Sequence, residues 1–317
     1  MVNFLKLTQN EVRKMHIQKS TWIMYSILAL IILVGAILNI TGDFIIKDYG
    51  ENTWREELQE ENNKLTKEME EEQLFQEYNT SLIEKNNYYL ENDIKPLGYG
   101  AWQYVQENLM LVSLISLFTI IVAAGIVANE FRWGTIKLLL IRPISRSKIL
   151  LSKFVAVLLF AFYALLFLIF FSWIIGAIFF GIDGLNPYMV MEKGNGLEYV
   201  SIIKEVMTSY GLKVVNLVMM ATFAFMISSI LRSSAVAIGT AVFLMLAGNS
   251  IVLFFAERSW AKFILFANTD LSQYVGGNEP FIEGMSLTFS VTVLVVYFVI
   301  FVIASWGVFM RRDVAGN

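Results

Sequence analysis

Long apolar runs alternate along this chain with short charged segments. Six stretches contain no Asp, Glu, Lys or Arg: residues 20–42, 108–129, 154–182, 214–231, 233–256 and 284–310. A helix that crosses a bilayer needs about 20 mostly apolar residues, so each stretch is a candidate span. The fourth and fifth are separated only by Arg232. As one helix, 214–256 would be roughly 65 Å long, about twice the hydrocarbon thickness. A tight hairpin at Arg232, Ser233 and Ser234 is therefore predicted, and with it an all-α membrane protein of six transmembrane helices. The first span is longer than the apolar core of a signal peptide and no A-x-A pattern follows it, so it reads as an uncleaved anchor.

The polar segments between the spans carry patterns of their own. Residues 1–19 place Phe4, Leu5, Val12 and Met15 among charged neighbours, as in an amphipathic helix on the membrane surface; a plain lead-in is the alternative. In 43–107, residues 55–93 contain no Gly or Pro and are rich in Glu, Gln, Lys, Leu and Asn, a composition that favours helix. Leu58, Leu65 and Met69, then Leu74, Tyr78 and Leu82, recur at helical spacing, with Glu72 interrupting any heptad. They predict a short helical hairpin, against the alternative of a solvated acidic loop. Pro96, Gly98 and Gly100 end that run, and Trp102 and Tyr104 then read as interfacial anchors of the second span. In 257–283, Trp260, Phe263, Ile264 and Phe266 around Lys262 suit a short re-entrant helix, followed by a turn at Gly276 and Gly277; a surface loop with scattered aromatics is the alternative. The remaining segments are the loop 183–213 and the tail 311–317.

Charge separates these segments into two sets. Segments 1–19, 130–153, Arg232 and 311–317 together carry +10, whereas 43–107, 183–213 and 257–283 carry −13, of which 43–107 alone holds −10. Lys and Arg collect on the cytoplasmic side of membrane proteins. All four basic segments fall on one side of a six-span topology, so both termini are expected in the cytoplasm and the acidic segment 43–107 outside. The near-neutral total of −3 is a cancellation.

Composition then removes whole classes of chemistry. With 56% hydrophobic and 16% charged residues, the chain falls well below the roughly 25% charged residues usual in soluble domains. Cysteine is absent and His16 is the one histidine, which excludes disulfides, thiolate metal sites and HExxH proteases; no metal site is expected. No ionisable residue lies well inside the six stretches, which argues against ion-coupled transport. No G-x-x-x-x-G-K-[ST] phosphate loop is present, so no nucleotide is expected on this chain. The spans do carry Ser113, Ser116, Thr119, Tyr163, Asn216, Thr222, Ser228, Thr240, Asn249, Ser250 and Thr292. Most of these suit hydrogen bonding between helices; Asn216, Thr222 and Asn249 are the candidates for lining a pathway.

Residues 130–153 hold six basic side chains and one of four prolines. Gly134 permits a turn at the end of the second span, and Thr135 to Ile141 can form a short amphipathic helix. Pro143 ends it, and Ser145 is placed to cap the next helix. A basic anchor loop would explain the charges but not this order of turn, helix, break and cap. The segment resembles the first cytoplasmic loop of ABC-2 type permeases, the membrane subunits of ATP-binding cassette exporters. The matching positions are Glu130, Gly134, Thr135, Leu138 to Leu140, Pro143, Ser145, Arg146 and Lys153, and the resemblance extends to the six spans and the large loops after the first and fifth. It implies a coupling helix that docks into a separate ATPase, carried by Glu130, Arg132, Gly134, Thr135, Lys137, Arg142, Pro143, Ser145 and Arg146. It also implies two ATPase subunits holding ATP and Mg, and a second permease chain, identical or related. The expectation is thus an exporter subunit in a bacterial cell membrane, not itself an enzyme, moving an amphipathic compound such as a peptide antibiotic, drug or lipid outward. No nucleic acid is implied. The alternative from another class is a membrane sensor or assembly partner that uses the acidic segment 43–107 and transports nothing.

Overall fold

A computed structural model describes residues 4–41, 49–71, 76–135, 144–182, 184, 186–194, 196–231, 233–275 and 280–311. In chain order the main elements are α1 (Phe4–Ile17), α2 (Lys19–Thr41), α3 (Trp54–Glu71), α4 (Gln76–Glu91), α5 (Ala101–Glu107) and α6 (Val112–Arg132). They continue with α7 (Arg146–Phe180), strands β1 (Tyr188–Lys193) and β2 (Gly196–Ser201), α8 (Ile202–Ile230), α9 (Ser234–Phe254), α10 (Leu265–Asn268) and α11 (Leu287–Arg311). Among the described residues, six helical runs are long and apolar enough to cross a membrane: α2, Ala101–Arg132, α7, α8, α9 and α11. Ala101–Arg132 is α5 and α6 joined by the 3-10 turn Asn108–Leu111. The chain is an all-α protein of the multi-pass membrane type, with one small β-hairpin.

Several helices extend past the apolar stretches that predict them. The second run starts at Ala101, the third at Arg146 and the fourth at Ile202, not at 108, 154 and 214. Glu107 and Lys153 consequently sit on these helices. The break between α8 and α9 does fall where the hairpin is predicted. Ser233 caps α9 by accepting a hydrogen bond from the Val236 amide at 3.4 Å, while Arg232 lies outside the described residues.

Packing is uneven across the bundle. The most apolar stretches of Ala101–Arg132 and α8 are each 56% buried, against 22% for α2, α9 and α11. The first two form the centre, and the other three present most of their apolar surface outward. Small residues let α6 and α8 approach: Ala123, Ala124 and Val127 are fully buried with Ala221, Ala224 and Phe225. Between them Ser228 donates to the Ala124 carbonyl at 2.7 Å and accepts from the Ala128 amide at 3.2 Å, the helix-to-helix role expected of it. The long α7 packs against α1, α2 and α5. At its far end the Gly181 carbonyl accepts from the Ala101 amide at 3.1 Å.

Tyr104 overturns its reading as an interfacial anchor. It is fully buried and donates from its hydroxyl to the Ile32 carbonyl of α2. Room for it exists because Gly35 has no side chain; a Cβ there would lie 3.2 Å from the Tyr104 hydroxyl.

The end of the bundle opposite α1 carries the other non-spanning elements. α3 and α4 pair as a helical hairpin with Leu58 and Leu65 buried. The row expected from α4 does not face α3, since Tyr78 is exposed and Asn79 and Asn86 are buried instead. Asn86 donates to Asn62 at 2.9 Å, and Asn62 to Asn87 at 2.9 Å, so amides share this interface with Leu58 and Leu65. Leu74 and Glu72 lie outside the described residues. The loop 183–213 holds the antiparallel β1–β2 hairpin, with Tyr188 opposite Ser201 and Lys193 opposite Gly196. The Val190 amide donates to the Tyr89 hydroxyl at 2.8 Å, which fastens α4 to β1.

Between α9 and α11 the chain forms three short turns, Ala261–Phe263, α10 and Leu271–Tyr274, in place of one re-entrant helix. Gly276 and Gly277 lie outside the described residues. Asn268 organises these turns from a fully buried position: it donates to the Lys262 and Ile264 carbonyls at 2.8 Å and accepts from Ser290 at 2.7 Å. Asp270 accepts from Lys213 of α8 at 3.0 Å and from the Ser272 amide at 3.1 Å. Partial burial works against its carboxylate, but Ser272 and Lys213 outweigh that and hold its pKa below the usual value. Anchoring by Asp270 is therefore present at neutral pH and is lost as pH falls through the lowered value. In an acid titration of the melting temperature, Asp270→Asn should flatten that part of the curve below about pH 4, the ordinary aspartate range.

Candidate functional site

Two charged residues occupy positions that the helical pattern assigns to the core. On α7, Leu150, Lys153, Val157, Phe160 and Ala164 follow one another at spacings of three and four, and all five are buried. On α1 the buried face is Thr8, Glu11 and Met15. Because α7 begins at Arg146, Lys153 lies two turns inside it, directed at α1 and at the end of α6.

The result is a network of two carboxylates and two ammonium groups. Lys153, with 1% of its side chain exposed, donates to Glu11 at 2.8 Å and to Glu130 at 3.0 Å. Lys14, half exposed, reaches the same two carboxylates at 3.2 and 3.3 Å. The four charges cancel, which is the condition for keeping them away from water. Burial alone would lower the Lys14 pKa; Glu11 and Glu130 outweigh it and raise the value above 10.5. Its contribution is therefore complete at neutral pH and lost only as pH rises through that raised value.

The end of α6 adds a fifth member. The Trp133 amide donates to the Asn129 carbonyl and the Gly134 amide to that of Phe131. Gly134 then takes φ +70, and the chain turns back so that the Thr135 hydroxyl donates to the Glu130 carboxylate. A residue with a Cβ at this φ costs about 1–2 kcal/mol, and nothing lies within 4 Å of where that Cβ would be. Gly134→Ala should therefore act through the backbone alone, and it is expected to speed amide exchange or proteolysis at 133–135 without moving the helices.

The predicted docking residues fall into four groups. Glu130, Gly134 and Thr135 meet at the network, as does Lys153. Arg132 and Ser145 face outward. Ser145 occupies the N-cap position of α7 with extended backbone, and its carbonyl accepts from the Ile149 amide, but its side chain makes no capping bond. Arg146 donates to the Met310 carbonyl at 3.3 Å, joining the starts of α7 and the end of α11. Lys137, Leu138 to Leu140, Arg142 and Pro143 lie outside the described residues.

The three pathway candidates lie on the neighbouring helices α8 and α9. Thr222 is buried and bonds the Val218 carbonyl of its own helix at 2.7 Å; Asn216 is half buried on α8; Asn249 is exposed on α9. Sequence reasoning missed Glu11 and Lys14, which it used only as charges to be counted. The signal was available: Glu11 is the one acidic residue among the first 42, and it sits on the same face as Thr8 and Met15. Among the described residues, no group of three His, Cys, Asp or Glu could hold a metal ion.

The chain is similar over its whole length to the Bacillus subtilis (strain 168) protein YhcI, with 42% identity across 98% of this chain and 99% of that one. It is 32% identical to the membrane protein YdbK of the same organism, across 67% of this chain and 82% of YdbK. The model of the family DUF2705, described as a protein of unknown function, matches residues 73–315. That span takes in the Glu130–Thr135–Lys153 half of the network and all the spans but the first, and the chain belongs to the DUF2705 family.

Proposed function

We propose that this chain is the membrane subunit of an ATP-binding cassette exporter, in which residues 130–146 dock into a separate ATPase and the six spans form half of the translocation path. The observation that carries the reading is the network. Glu130, Gly134, Thr135 and Lys153, all positions at which the chain resembles ABC-2 permeases, are tied to one another and to α1. A push delivered to the loop would reach α1, α6 and α7 together through charged contacts too costly to break one at a time. In this reading both termini face the cytoplasm, the α3–α4 hairpin lies outside, and the cargo is an amphipathic compound. Co-expression of an ATPase from a neighbouring reading frame tests it. Lys137→Glu with Arg142→Glu should abolish co-purification of the ATPase and the stimulation of its hydrolysis by the permease. Unchanged binding and turnover would sink the docking assignment.

A sensor or assembly role draws on a different observation, the attachment of the α3–α4 hairpin to β1 through Tyr89 and Val190. Deleting residues 51–93 separates the two readings. Export that persists without the hairpin favours the permease; a lost signalling response with no export favours the sensor.

A further inference from the structure

A cavity of about 210 Å³ lies against the network, walled by α1, α2, α6 and α9. Along α6 its lining runs from Ile121 and Val122 through Gly125 and Ile126 to Asn129, Glu130 and Trp133. This is one helix face about 18 Å long, apolar at one end and polar at the other. Met24 of α2 and Ile238 of α9 close the apolar half, and Lys14 and Gln18 close the polar half. Gly125 leaves room for the Asn129 side chain, since a Cβ there would lie 3.0 Å from the Asn129 amide nitrogen.

The gradient matches one leaflet of a bilayer, from acyl chain to head group. The polar half also has the means to hold an oxyanion. An ammonium has three donors, and among the described residues Lys14 directs two at Glu11 and Glu130, which leaves a third for a ligand in the cavity that Lys14 lines. Gln18 and Asn129 add amide donors. Glu11 and Glu130 also line the cavity, but with Lys14 and Lys153 they sum to zero, and the exposed Arg13, Lys19 and Arg132 beside them in the chain add positive charge that favours an anionic head group. Trp133, exposed at the rim, suits the interfacial level.

We propose that this cavity binds one anionic glycerophospholipid, with its phosphate on Lys14, Gln18 and Asn129 and the first few methylenes of one acyl chain along Val122 and Ile126 between α2 and α9, the rest of the lipid lying in the bilayer. Only the choice of leaflet rests on the orientation given above; binding by the isolated chain involves no ATPase, so failure of the docking reading would leave it standing.

Native mass spectrometry of the full chain in detergent tests the assignment, with phosphatidylglycerol, phosphatidylcholine, diacylglycerol and inorganic phosphate as probes. One phosphatidylglycerol per chain should survive removal of the detergent, held at least tenfold more tightly than the other three. Val122→Trp should remove it by filling the apolar half, and Lys14→Gln should reduce its retention to that of phosphatidylcholine. Both variants are first checked for monodisperse elution and unchanged helical circular dichroism; if Val122→Trp does not fold, Ile238→Phe fills the same space. Several equivalent lipids that ignore these substitutions would mean annular binding and overturn the proposal. So would inorganic phosphate held as tightly as the lipid, or diacylglycerol held as tightly as phosphatidylglycerol.

Discussion

Replacing Lys153 with methionine should destabilise the protein by about 3–5 kcal/mol, the usual cost of removing one partner from a buried ion pair. Methionine fits the space and the apolar stripe of Leu150, Val157 and Phe160, so packing is nearly preserved and the loss is electrostatic. Glu11 and Glu130, with 10% and 12% of their side chains exposed, would be left with the half-exposed Lys14 as the ammonium they share, and Glu130 with the Thr135 hydroxyl besides. Their mutual repulsion and lost solvation then fall on the junction of α1, α6 and α7. Denaturant titration in detergent, followed by circular dichroism, reads the change. The control is the triple variant Glu11→Gln, Glu130→Gln, Lys153→Met, which should recover much of the loss because it leaves no uncompensated charge. A single-variant effect below about 1 kcal/mol, the range of an exposed pair, would show that Lys153 is not buried as described.

The second large effect is expected at Gly248 in α9. A Cβ on this residue would lie 2.4–2.8 Å from carbons of the Phe266 ring, and such a ring cannot swing aside as the tip of a flexible chain can. Phe266 belongs to the turn segment that Asn268 and Asp270 anchor. Gly248→Ala should therefore lift this segment from α9 at a cost of about 1–3 kcal/mol, typical of overpacking. Phe266→Ala on its own removes ring contacts, but in the double variant it makes room for the new methyl. The two substitutions should thus be less than additive, and a double-mutant cycle giving a coupling energy near zero would rule out the contact.

The coarse architecture was legible because it depends on local quantities. Runs without charge give six spans, and the helical length limit splits 214–256 at Ser233. Gly134 was recognisable as a turn because few other residues follow a helix end so readily in that role. What could not be read depends on contacts between distant segments. Tyr104 looks like any aromatic beside an apolar run, and only Gly35, in another helix, turns it into a buried residue. Lys153 and Glu11 were counted by sign when their spacing already put both on buried faces; the error lay in using charge to set the ends of helices. The β1–β2 hairpin is too short, at six residues a strand, to stand out between two strongly helical runs. In the candidate site, Glu130, Gly134, Thr135 and Lys153 were marked by resemblance, whereas pairing Glu130 with α1 required the fold.

The length of α7 has a mechanical meaning. At 35 residues it is about 52 Å long, well beyond the roughly 30 Å of hydrocarbon. It is held by charges near Lys153 and by the Ala101–Gly181 backbone bond at the other end. Were such a rod to tilt by about 5° about its middle, each tip would move roughly 2 Å sideways, given a half-length of about 26 Å. Sub-helical displacements at the Lys153 end would then arrive, reversed in direction, where α5 and α7 meet, without any helix having to bend.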